Sequence, residues 1–455
     1  MKLSMFGLGL LLSTASLADT WTVDDDNKAD FSTIQDAVDA ASNGDEIIVY
    51  QGTYTGNGTE VVNTLGKEIW LHGVDGVDVT IIDATGLNGS AIVCATNETP
   101  KTIISGFTLT GGTGTIHPNW GTPLGGGLFA YFSSPTISDC IVTGNEADFA
   151  GGMWIQESQS TIENVHFDNN QAMYPVDGGA GGLYLWDSVA LVTGCTFENN
   201  SCTGAGAALR CKTSANGNGG TSTIRNCTFN SNHAQRLGGA VATYRASPTF
   251  EQCSFNDNTA KTYAGAVNVG GILATNSVMV TFLNCSFNNN TAGILGGALQ
   301  VTQAAAIIEK CSFSSNSAVL YGGGIAVVGV ESSATCSISG SIFQNNDGGF
   351  FGGAIYHLDV ATSDIDTTMF CGNQPNPING TWNDLGGNTM NASCKYLCMG
   401  DIDASGDVTV SDILTLIADF GQCNGINSCF SDLNDDEQVN VMDLLILIGN
   451  WGVCQ

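Results

Sequence analysis

From Val142 to Asn346 the apolar and polar positions recur in one fixed order. An aliphatic or aromatic residue is followed three positions on by Asn, and eight beyond that by a small or apolar residue. The copies are Val142/Asn145/Met153, Phe197/Asn200/Ala208, Phe229/Asn232/Ala240, Phe255/Asn258/Ala266, Phe287/Asn290/Ala298, Phe313/Asn316/Gly324 and Phe343/Asn346/Ala354. Weaker copies at Leu109/Gly112, Phe167/Asn170 and Phe370/Asn373 lengthen the run. Recurrence of this kind predicts a solenoid, in which each copy meets the same surroundings as its neighbour.

Successive Phe positions lie 25 to 33 residues apart, and the intervening segments are rich in Thr, Val, Ile, Asn and Gly with no 3.6-residue period. That excludes helical repeats and predicts an all-β fold, a right-handed parallel β-helix of three short strands per coil. Coils stacked at about 4.8 Å would give a rod of roughly 45–50 Å over this stretch. Phe would stack on Phe in the interior, and Asn at a corner would bond to the Asn above and below. Gly-Gly removes the Cβ at a tight turn. Two positions before the Phe runs a column of Cys140, Cys195, Cys227, Cys253, Cys285 and Cys311. It reads either as small buried thiols or as disulfides between coils.

A solenoid needs capped ends. Phe31, Ile34, Val38 and Ala41 fall near helical spacing, with Ser32 and Thr33 able to start the helix, and GDEIIVYQGTY follows as turn, strand and turn. Residues 31–54 resemble the opening of pectin-lyase-like proteins. The FxxN and GGA repeats from Leu109 to Asn373 resemble those of chlamydial polymorphic outer membrane proteins, without the carboxy-terminal barrel of that family. The β-helix is expected over residues 19–393, preceded by a signal peptide at 1–18: Lys2, an apolar run, then Ser16-Leu17-Ala18.

Residues 396–455 change character, with ten acids, no base and two apolar runs. Asp401, Asp403, Ser405, Thr409 and Asp412 stand at positions 1, 3, 5, 9 and 12 of a loop with Gly406 at position 6, the spacing of a calcium loop. Asp432, Asn434, Asp436, Asn440 and Asp443 repeat it 31 residues later, and an apolar helix is expected after each. The bland alternative is a solvated acidic tail. A duplicated loop of this kind resembles type I dockerin, the module by which secreted bacterial enzymes bind cohesin. The resemblance implies an EF-hand-like Ca2+ domain, with backbone carbonyls of Asp407 and Gln438 completing the two sites, and a cohesin-like partner. Glu437 stands where the family has Gly, and Val410-Ser411 and Val441-Met442 where it commonly has Ser-Thr. Cys398 with Cys454, and Cys423 with Cys429, are candidate clasps in an exported chain.

Offsets after the Gly pairs place Phe129, Trp154, Tyr184, Leu209 and Val241 in one interior row. Ala130, Ile155, Leu185, Arg210 and Ala242 would then point outward. A further outward row holds Phe132, Glu157, Asp187, Lys212 and Tyr244, which sets Glu157 beside Asp187 with Arg210 and Lys212 on the next coil. Carboxylates about 5 Å apart suit retaining glycoside hydrolysis. Carboxylates holding calcium beside a Lys or Arg base would instead suit β-elimination, as the resemblance to pectate lyases implies. The bland alternative is cross-strand pairing of charges. Two insertions, Thr113 to Leu124 with His117 and Trp120, and Gln171 to Ala180 with Tyr174 and Asp177, fall beside these coils. No pectinesterase or polygalacturonase catalytic motif is present, and the five histidines follow no metal or triad spacing.

With 43 acids against 12 bases, the net charge of −31 argues against nucleic acid. No segment outside the leader is long and apolar enough to predict a membrane-spanning helix. The expectation is therefore an extracellular monomer, carbohydrate-active or carbohydrate-binding, and a polysaccharide lyase or glycoside hydrolase if catalytic. Its rival is a non-catalytic, adhesin-like surface or structural protein with a cell-surface ligand.

Overall fold

A computed structural model describes residues 18–174, 179–215, 220–271, 278–330, 333–391, 394, 400–402, 407–422, 431–434, 436 and 438–453. Residues 1–17 of the expected leader, Asp177, Asp403, Ser405, Glu437 and the four cysteines of the expected clasps lie outside these residues.

One coil shows how the sequence repeat becomes structure. Thr223–Arg225, Thr228–Asn230, His233–Ala234 and Val241–Tyr244 are its strands, and each pairs in parallel with its counterpart one coil away. Stacking these coils gives three long sheets of 14, 13 and 12 strands and a corner sheet of seven. Strands of this kind must be parallel, since every coil runs the same way round and loops of more than a dozen residues separate partners. Helix α1, Ile34–Ala40, lies at the amino-terminal end, started by the Thr33 side chain accepting from the Asp36 amide. Ile34, Ala37 and Val38 of this helix join the solenoid core.

The interior is held by two columns. Phe rings from Phe167 to Phe370 stack with centroids 4.5–5.1 Å apart and planes within 13° of parallel. The same register continues to Tyr54 and Ile82 at one end and Met390 at the other. The repeat pattern does not extend through the coil of Ile82, because Thr85 stands where that coil would need its Asn.

The second column is asparagine. Asn232 Nδ2 donates to Asn258 Oδ1 at 3.0 Å and to the Phe197 carbonyl at 3.0 Å, and the Asn232 amide donates to the same Oδ1 at 3.0 Å. Identical wiring runs without a break from Asn145 to Asn373. Each buried amide thus has two donors and one oxygen satisfied in a place water does not reach. The Gly pairs permit the close approach that follows. A Cβ on Gly297 would lie 2.1 Å from the Gly323 carbonyl of the next coil, and Gly296 before it takes φ +68°.

The cysteine column consists of free buried thiols. Cys227 Sγ donates to the Arg225 and Val192 carbonyls at 3.2 and 3.7 Å. Burial pushes the Cys140 thiol up to about 12, so the group stays protonated and inert. A disulfide absent from the sequence reading joins Cys371 to Cys394, tying the chain beyond the last strand back to the second sheet.

Removing the asparagine acceptor should be costly. Asn258→Ala leaves the Asn232 amide and Nδ2 without their shared oxygen, so guanidinium unfolding should show a loss of about 3 kcal/mol, against little change for the exposed Lys261→Ala. His357 gives a pH dependence. It is buried, with Nδ1 donating to the Asn379 carbonyl at 3.2 Å and Nε2 accepting from Ser363 Oγ at 2.7 Å. Burial holds its pKa below the ordinary 6.5. The unfolded chain therefore takes up the proton first, so stability is intact above that value and falls as pH drops through it towards the folded value. His357→Gln should flatten that fall in thermal melts between neutral and mildly acid pH.

Candidate functional site

The third sheet has one outward face, and its third, fourth and fifth strands carry aromatic residues there. Met153–Gln156, Leu183–Trp186 and Leu209–Lys212 pair in register, so Trp154 meets Tyr184 and then Arg210, while Gln156 meets Trp186 and then Lys212. This corrects the expected rows. Phe129, Trp154 and Tyr184 face outward, and Ala130, Ile155 and Leu185 are the interior residues of those strands. The slip has a simple origin: Met153 follows Asn145 by eight residues, but its structural partner Leu209 follows Asn200 by nine. One extra corner residue inverts every assignment on a strand of period two.

The first insertion folds over this aromatic face. Thr115–Ile116 and Pro123–Leu124 form an antiparallel pair, and the turn between them places His117 and Trp120 against the sheet. His117 is buried; its Nδ1 accepts from the Asn119 amide at 3.2 Å, which leaves Nε2–H to donate to Gln156 Oε1 at 3.1 Å. Trp154 Nε1 donates to that same oxygen at 3.2 Å. Burial holds His117 below the ordinary histidine range, so it is a neutral positioning group. Stacked on it at 4.0 Å, Trp120 remains 42% exposed and lies 4.9 Å from the Trp186 ring. Trp120, Trp186 and Tyr131 together present a shelf of rings.

Basic groups continue the shelf along the rod. Lys212 Nζ lies 4.5 Å from the Trp186 ring centre and 5.7 Å from that of Tyr244; Arg245 lies 5.3 Å from the latter. Arg210 is buried beside Tyr184 at 5.5 Å. Glu157 and Asp187 occupy the corner after their strands, both with left-handed backbone at φ 50° and 49°. The Glu157 amide donates to the Trp186 carbonyl and that of Asp187 to Lys212, which places the two carboxylates one coil apart. Asp187 accepts from the Ser214 amide at 2.7 Å. Burial first, and then the Asp187 charge, hold the Glu157 carboxyl above its ordinary range. Lys212 is in register with Gln156 and Trp186 and not with the carboxylates, a second departure from the expected row. The aromatic shelf escaped the sequence reading, although large rings at Phe129, Trp154 and Tyr184 where later coils carry Ala242, Asn268 and Gln300 would have marked it.

The carboxy-terminal segment forms two matching units. Helix α2, Val410–Ala418, and helix α3, Val441–Gly449, each open with a capping box, and Val408, Leu416, Val439 and Leu447 pack between them. Asp412 accepts from the Ile402 and Thr409 amides, both at 2.7 Å; Asp443 accepts from Leu433 and Asn440, both at 2.8 Å. Asp432, Asp436 and Asp443 bring one oxygen each to within 4.8 Å of the others. Asn434 and Asn440 border them, each within hydrogen-bond distance of Asp436, and Asp401 is buried in the first loop. The backbones of Asp407 and Gln438 lie in short antiparallel pairs.

The sequence profile described as right handed beta helix region matches residues 24–218 and again 181–365. No curated protein sequence matches the chain. Among solved structures, the catalytic domain of a GH87 alpha-1,3-glucanase in complex with tetrasaccharides is similar at a TM-score of 0.50 and 11% identity, over 75% of this chain and 64% of that one. A family 28 exopolygalacturonase of Yersinia enterocolitica gives 0.47 and 12%, over 83% and 79%. The mannuronan C-5 epimerase AlgE4 A-module of Azotobacter vinelandii gives 0.45 and 14%, over 78% and 93%. The chain thus spans just under two thirds of the glucanase domain, and at such identities the likeness is one of fold.

Proposed function

The chain belongs to the right-handed β-helix family, and from the face it presents we propose an exported protein that binds an extended polysaccharide along the third sheet and hydrolyses it there. The observation that carries this is the shelf of Trp120, Tyr131 and Trp186 bordered by the Glu157–Asp187 pair. Exposed rings stack on the apolar faces of sugars, and a straight sheet offers a chain of sugars successive contacts at a constant spacing. The glucanase domain held with tetrasaccharides supports a glycan as ligand for a fold of this kind.

The two carboxylates divide their roles by environment. Coils about 4.8 Å apart set a separation suited to retaining hydrolysis. Glu157, whose carboxyl is held above its ordinary range by burial and by its neighbour, is the better placed of the two to act as the general acid towards the leaving oxygen. Asp187, accepting the Ser214 amide, is the nucleophile that forms the glycosyl intermediate. Glu157 then takes a proton from water as that intermediate is released. Lys212 lies over Trp186, which favours this reading over a β-elimination that needs the base beside the carboxylates. An adhesin-like reading keeps the shelf and omits the chemistry.

The carboxy-terminal loops are proposed to take calcium. Three carboxylates within 4.8 Å, in a segment of ten acids and no base, repel one another without a divalent cation. Val410, Leu414 and Ile417 on α2 and Val441, Leu445 and Ile448 on α3 are exposed at matching positions. This paired apolar stripe supports a docking role towards a cohesin-like protein.

Affinity electrophoresis against neutral and uronate-containing polysaccharides tests the shelf. Trp186→Ala should weaken retention roughly tenfold, about 1.4 kcal/mol. Glu157→Gln should keep retention and abolish release of reducing ends; retention without reducing ends from the unaltered protein would establish the adhesin-like reading instead. Calorimetry should find two calcium ions per chain, with one lost in Asp432→Ala, and chelation should lower the helical circular dichroism. No heat of calcium binding would refute the assignment.

A further inference from the structure

On the second sheet, the residues on either side of each interior Phe point outward. From Thr108 to Gln344 these flanking positions are almost uniformly small or amide side chains: Thr196 and Thr228 before the Phe, for example, and Asn230, Asn256 and Asn288 after it. Ile141 and Ile342 are apolar departures, and two adjacent strands, His166–Asp168 and Thr196–Glu198, carry the only metal-ligating side chains at these positions: His166, Asp168 and Glu198. Asp168 and Glu198 are directly in register, so two carboxylates face each other across one coil step, a repulsive pairing in a chain of net charge −31.

The three side chains converge. One donor atom of each lies within 4.8 Å of the other two, and His166 Nε2 stands 3.6 Å from Glu198 Oε2, an ion-pair distance longer than a hydrogen bond. That ring nitrogen is screened from solvent and makes no hydrogen bond. Asn199 Nδ2 donates to Asp168 Oδ1 at 3.1 Å, fixing the carboxylate that faces the histidine. We propose that His166, Asp168 and Glu198 bind a divalent first-row transition-metal ion, of which zinc is the representative, bridging two coils on the outer face of the second sheet. A donor at about 2.0–2.2 Å from such an ion lies roughly 3–3.5 Å from the next donor, so small side-chain movements complete the site. The imidazole nitrogen selects this class over calcium, which takes all-oxygen cages. Half-exposure of all three side chains leaves the remaining positions to water. The site shares no residue with the aromatic shelf or the carboxy-terminal loops.

The repeat itself supplies substitutions that keep the fold, since neighbouring coils carry Thr and Asn at these positions: His166→Thr and Glu198→Asn. The full-length protein, stripped with chelator and then saturated with calcium to occupy the carboxy-terminal loops, is titrated with zinc in a calorimeter. One zinc equivalent should bind, weakened at least tenfold by either substitution and unaffected by Asp432→Ala. Cobalt should give a visible d–d absorption that His166→Thr removes, while melting curves without added metal stay those of the unaltered protein. No zinc uptake, or uptake that both His166→Thr and Glu198→Asn leave unchanged, would overturn the proposal.

Discussion

The structure depends on one hydrogen-bonded contact repeated along the rod: a buried asparagine oxygen that accepts both the side-chain amide and the backbone amide of the asparagine one coil before it. The contact closes only when coils are in strict register, because a shift of one residue would carry the amide to the other side of the strand. Once it is made, the Phe above must lie over the Phe below, and the glycine that follows must lie against a carbonyl. Hydrophobic burial supplies most of the stabilisation. The buried amide column supplies the register, since any slip leaves polar groups unpaired away from water.

A scaffold so regular makes departures informative. Along the third sheet, outward Ala, Asn and Gln give way to Phe129, Trp154 and Tyr184 in the coils next to the inserted hairpin. Along the second, Thr and Asn give way to His166, Asp168 and Glu198. Neither change affects the interior, where Leu128, Met153, Leu183 and Phe167, Phe197 keep the pattern. These departures fall on outward positions, which the stacking contacts leave free to vary, and each covers two or three adjacent coils.

Some of this was legible before any coordinates. The FxxN spacing identified both interior columns, and the acidic residues at calcium-loop offsets picked out the positions that bring Asp432, Asp436 and Asp443 together. The pair Glu157 and Asp187 was placed on neighbouring coils correctly. The faces of Trp154 and Tyr184 were not, because the corner between Asn and Gly gains one residue between Asn145 and Asn200 and no local pattern records it. Nor did the spacing indicate the Cys371–Cys394 bond, since Cys394 falls outside the repeated pattern.

What the sequence by itself determined was periodic: that coils exist, that like residues pile on like, and that the carboxy-terminal segment repeats an acidic loop followed by a helix. These follow from spacing alone, because identical residues at recurrent intervals must share an environment. Which side chains face water, how the Thr113–Leu124 insertion brings His117 and Trp120 onto the sheet, and which charges lie side by side were decided by the tertiary structure. Those depend on corner lengths and on contacts between residues 25 to 40 positions apart, such as His117 with Gln156 and Asp187 with Ser214, and corner geometry is set by packing against the next coil and not by the residues of the corner itself.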